Sequence, residues 1–96
     1  MANLANSTHI AGAGTNVVYT GSGATLKYLT VNNSGGTGGA VTVYDNTAAS
    51  GSVICVIDTS FAAVAGTFFY DAPIHKGITV VTAGALSDVT VSWTQA

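Results

Sequence analysis

Charge is what this chain has least of. Arginine and glutamate are absent, and the only charged residues among 96 are Lys27, Lys76, Asp45, Asp58, Asp71 and Asp88. A globular domain ordinarily carries about a quarter of its residues charged. Threonine, serine, asparagine and glycine dress this surface instead. Burying such groups costs little desolvation energy, which suits a chain packed against copies of itself or against other proteins. The formal net charge is −2, and two isolated lysines do not make the basic footprint that a phosphate backbone requires. No nucleic-acid partner is expected.

Cysteine is nearly as scarce. Cys55 stands alone, which excludes an internal disulfide and any metal site built on two thiolates. Long apolar runs are missing too: none approaches the roughly 18 residues of a membrane-spanning helix, so no membrane association is expected. The first residues, Met-Ala-Asn-Leu-Ala-Asn, lack the basic and apolar regions of a signal peptide. Synthesis in a cytosol is the expectation, and Asn6-Ser7-Thr8 and Asn32-Asn33-Ser34 are then glycosylation patterns without consequence. A chain of this length removes only about 60% of its surface from water on folding. With a disulfide and a thiolate-based metal site excluded, oligomerisation is the remaining source of stability.

What is present is a period of two. Over residues 25–32, Leu26, Tyr28 and Thr30 alternate with Lys27, Leu29 and Val31; over residues 40–45, Val41 and Val43 alternate with Thr42 and Tyr44. Both read as strands, with the glycine-rich residues 33–39 as a hairpin tip between them. The continuous run Val53-Ile54-Cys55-Val56-Ile57 reads as a strand covered on both faces, preceded by a turn over residues 46–51. Residues 67–70 form an aromatic strand ended by Pro73, the single proline, which belongs at an edge or in a loop. Residues 77–82 and 88–94 read as a closing half-buried hairpin, with Val89, Val91 and Trp93 on one face and Thr90, Ser92 and Thr94 on the other. Residues 60–66 carry a serine and a glycine bracketing alanines, the signature of a single helical turn. Residues 16–20 and 9–11 add short strands.

The sum is an all-β chain: one antiparallel β-sandwich of about seven to eight strands, jelly-roll or immunoglobulin-like Greek key. Residues 1–14 are expected to be an irregular N-terminal arm and residues 15–96 the sandwich domain.

Chemistry is thinly represented. His9 and His75 sit about 65 residues apart in the sequence, and Cys55 lies in the most apolar run, where a thiol behaves as a small hydrophobe. The four aspartates adjoin turns, where such residues satisfy backbone N–H groups rather than hold a cation. The glycine clusters match neither a dinucleotide fingerprint nor a Walker loop. The eight aromatics are sufficient for a sugar-binding platform, but strand alternation assigns most of them to core or interface. No Thr-x-Thr rank of an ice-binding face occurs. No catalytic residue, cofactor or metal is therefore expected. Tyr70, Ile74 and Trp93 are the candidates for subunit interface or core.

Three segments carry a resemblance: Gly23-Ala24-Thr25-Leu26-Lys27-Tyr28-Leu29-Thr30-Val31-Asn32, Val41-Thr42-Val43-Tyr44-Asp45-Asn46, and the stretch running from Tyr70-Asp71-Ala72-Pro73-Ile74 through Gly77-Ile78-Thr79-Val80-Val81 to Asp88-Val89-Thr90-Val91-Ser92-Trp93. In their order and spacing they resemble small β-sandwich structural proteins of tailed bacteriophages. The resemblance implies a non-enzymatic virion protein. The leading expectation is a capsid decoration (cement) protein, a homotrimer on the capsid surface whose partner is the major capsid protein. A neck, tail or fibre-associated virion protein and a carbohydrate-binding module are the alternatives.

Overall fold

A computed structural model describes residues 4–35, 40–58, 66–84 and 86–95. They form eight strands: β1 (Leu4–Ala11), β2 (Gly14–Thr20), β3 (Ala24–Gly35), β4 (Ala40–Asp45), β5 (Ser52–Asp58), β6 (Gly66–Pro73), β7 (Gly77–Thr82) and β8 (Leu86–Gln95). Every pairing is antiparallel. The first sheet has the order β1-β8-β3-β6 and the second β2-β7-β4-β5. Eight strands divided between two four-stranded sheets in this order make a jelly roll, which resolves the choice left open between that fold and an immunoglobulin-like one.

Between the sheets lies one apolar cluster. The first sheet contributes Ile10, Leu26, Leu29, Val31, Val89, Val91 and Trp93, and the second contributes Val41, Val43, Ile57, Ile78 and Val80. Val89, Val91 and Trp93 point inward as their alternation predicts. In β3 the alternation breaks. Leu26, Leu29 and Val31 are the buried set because the register against both neighbours shifts between Leu26 and Tyr28. Lys27 is the extra residue relative to β8, and β6 carries an extra residue relative to β3. A bulge resets which side chains face the core, so Tyr28 and Thr30 part company with Leu26.

Other expectations change with the topology. The first residues are not an irregular arm: Leu4–Ala11 is β1, paired along its length with β8. Neither expected hairpin exists. β3 and β4 belong to different sheets, as do β7 and β8, and β4 and β5 alone are sequence neighbours that pair. Each strand must bury one face, and crossing to the opposite sheet does this as well as folding back does. The apolar run of β5 is not covered on both faces, because β5 is an edge strand with Val53 51% and Val56 60% exposed. Residues 33–35 extend β3 along β8 rather than turning. The expected helical turn over residues 60–66 lies outside the described residues except for Gly66, which opens β6. Pro73 closes β6 at the edge of the first sheet, where its missing N–H costs no ladder bond.

Candidate functional site

The outer faces of the two sheets differ in chemistry. Across the second sheet, the registers align two rows, Thr15-Val81-Thr42-Val56 and Val17-Thr79-Tyr44-Val53. Neither row contains a charge, and Val17, Val53 and Val56 are exposed.

The outer face of the first sheet carries charge, and it is indented. A groove of about 450 Å³ is lined by Lys27, Tyr28, Phe69, Asp71, Ser92 and Thr94. The register that sets Tyr28 opposite Phe69 brings their rings to 5.8 Å between centroids at 59°, a tilted aromatic contact. Phe69 nevertheless remains 77% exposed. Lys27 and Asp71 form an ion pair across the groove. Asp71 has φ 53°, the only non-glycine residue in the left-handed region among the described residues. That conformation costs an L-residue roughly 1 kcal/mol or more.

At the other end of the same face, Asp88 meets His9 at 2.5 Å and Asn32 at 3.1 Å, and Asn32 also donates to Thr90. The Asn32 amide, and after it His9, hold the Asp88 carboxyl below its ordinary range. Antiparallel pairing of β1 with β8 thus gives His9 the carboxylate that local sequence spacing denied it. The cluster is open to solvent and contains no nucleophile beyond threonine.

Asp45 is the carboxylate built into the fold. It is 9% exposed and accepts the backbone N–H groups of His75, Lys76 and Gly77 at 2.9 to 3.4 Å. Burial pushes its pKa up, but those N–H groups and nearby His75 outweigh it and leave the carboxyl below its ordinary value. Sequence reasoning assigned it to backbone satisfaction and missed that the satisfied turn lies 30 residues away. Asp58 closes β5.

Of the three interface-or-core candidates, Ile74 and Trp93 are core residues and Tyr70 packs against that core, partly buried. Tyr70 on β6 shares a hydrogen bond with Cys55 on β5, linking the two sheets at one edge of the sandwich. Burial raises the Cys55 thiol, as its apolar run suggested, and burial also pushes the Tyr70 hydroxyl far up. The groove residues had been noticed separately, as aromatics and turn carboxylates. Their meeting depends on the β3–β6 register, which no local motif encodes.

Among the described residues, no three His, Cys, Asp or Glu side chains converge as metal ligands, and no helix is long and apolar enough to cross a membrane. Comparisons with family models, curated proteins and solved structures return no match.

Proposed function

We propose that this chain is a non-enzymatic virion structural protein, a capsid decoration protein of a tailed phage that binds across capsomer joints, in trimers, without chemistry. The observation that carries the reading is the pair of uncharged rows across the outer face of the second sheet, with Val53 and Val56 exposed on its edge strand. Solitary proteins guard an edge strand with lysine, proline or inward charge. The interior of β5, Val53-Ile54-Cys55-Val56-Ile57, has none of these. Packing these rows against a neighbour desolvates hydroxyls and methyl groups but no ions, so the contact forms at low electrostatic cost. Each bound subunit then adds contacts that shell rupture must break.

Co-sedimentation of the purified protein with phage shells lacking it tests this. Saturable binding at hundreds of copies per shell is the expected result, and a Val53→Lys/Val56→Lys variant is expected to lose it. A protein that stays monomeric and never sediments with shells overturns the reading. About a dozen copies per particle moves it to the neck or tail axis, where rotational symmetry sets the number.

A further inference from the structure

The groove on the first sheet gathers two departures from regular strand geometry: Lys27 is an extra residue in β3 relative to β8, and in β6 Tyr70 and the left-handed Asp71 form a bulge between the paired Phe69 and Ala72. We infer that this groove is a binding site for a neutral saccharide. It lies on the face opposite the proposed shell contact, so the two do not compete for surface.

Bulges cluster beside functional sites because they re-aim side chains, and a strained non-glycine residue persists only where its surroundings hold it. Here both devices act on the groove lining. They turn Tyr28 and Phe69 outward together and set Asp71 beside Lys27. A phenyl ring left 77% exposed on a sheet face is otherwise a liability.

The lining matches the chemistry of a pyranose, which has an apolar face of C–H groups and a rim of hydroxyls. The exposed face of Phe69 offers the apolar surface, and Tyr28 braces that ring from the side. Around it, the Asp71 carboxylate accepts hydrogen bonds, the Lys27 ammonium donates them, and the Ser92 and Thr94 hydroxyls do either. The groove volume of about 450 Å³ falls within the range of small-molecule sites. Charge selects the ligand class. Lys27 and Asp71 neutralise one another and no other ionic group lines the groove, so an acidic sugar or a phosphate gains no net attraction.

Titration of the ¹⁵N-labelled full chain with cellotetraose, maltotetraose and chitotetraose, and with sialyllactose as a charged control, tests the assignment. At least one neutral probe is expected to shift amide resonances around Tyr28, Phe69 and Asp71, with Kd on the order of 1 mM or tighter. Phe69→Ala and Asp71→Asn are each expected to weaken binding by about tenfold, and Val56→Lys on the opposite face is expected to leave it unchanged. The dispersion of the variant spectra reports that they remain folded. The inference is overturned if no neutral probe shifts the groove at about 10 mM, if Phe69→Ala binds like the parent, or if sialyllactose is preferred. Shell co-sedimentation of Phe69→Ala reads the other proposal separately, since its loss or retention says nothing about the sugar titration.

Discussion

The Asp45 carboxylate accepts the backbone N–H of Lys76 at 2.9 Å across 31 residues of sequence. His75 and Gly77 donate to the same group, so one side chain at the end of β4 holds the turn that leads into β7. Asp45→Ala leaves three N–H groups without their acceptor and is expected to cost about 3 kcal/mol, read from the urea midpoint. Asp45→Asn keeps one acceptor oxygen and is expected to cost less.

The same carboxylate sets an acid limit. Its folded pKa lies below the unfolded value near 3.8. The stabilisation is therefore complete above about pH 4 and is lost as pH falls through the folded pKa. Denaturation midpoints measured down through that window are expected to fall in the parent and to fall less steeply in Asp45→Asn. Equal slopes would assign the acid sensitivity elsewhere.

Gly77 sits where three strands converge. A Cβ there would stand 2.6 Å from the Tyr19 carbonyl oxygen and 3.1 Å from that of Asn46, both backbone atoms that cannot swing aside. Gly77→Ala is expected to cost about 2 kcal/mol through overpacking. Gly23 makes a useful contrast: its φ of +88° strains any side chain, but nothing lies within 4 Å. Gly23→Ala is expected to cost about 1 kcal/mol. Thermal unfolding of both variants checks the order.

Trp93 is 7% exposed, and its indole N–H finds no acceptor among the described residues. Trp93→Phe removes volume but also removes an unpaired polar group, so the two effects oppose each other. It is expected to change stability by less than about 1.5 kcal/mol, whereas Trp93→Ala is expected to cost about 3 to 5 kcal/mol. A Phe variant as damaged as the Ala variant would mean that the indole N–H is satisfied in solution.

Burial raises the Cys55 thiol, and the hydrogen bond from Tyr70 opposes that rise. Alkylation of the folded protein by iodoacetamide at neutral pH is expected to be at least about tenfold slower than that of an unfolded control. Tyr70→Phe removes the opposing hydrogen bond and is expected to move the pH–rate profile to higher pH.

How far the sequence could be read depends on how local the determining physics was. The alternation of Val89, Val91 and Trp93 with Thr90, Ser92 and Thr94 needs only a sheet with one buried face, and it reads correctly. Tyr28 misreads because one inserted residue, Lys27, inverts the alternation from there to Val31, and a bulge leaves no compositional trace. The apolar run of β5 misreads because hydrophobicity marks removal from water without saying whether the cover is this chain or another. The groove was illegible for a different reason. Lys27 and Asp71 are far apart in sequence, and only the pairing of β3 with β6 makes them neighbours.

The position of β8 in the first sheet bears on how the molecule comes into being. It lies between β1 and β3, so the earliest strand has as its hydrogen-bonding neighbour the latest of the eight. During synthesis β1 must wait, unpaired, until nearly the whole domain has emerged, and the first sheet cannot assemble progressively from its N-terminal side. Folding is thus a late, concerted event with a large loop-closure cost. In that interval the sparsely charged strands are open to one another on neighbouring chains, so rate of synthesis and temperature bear on the balance between native protein and aggregates.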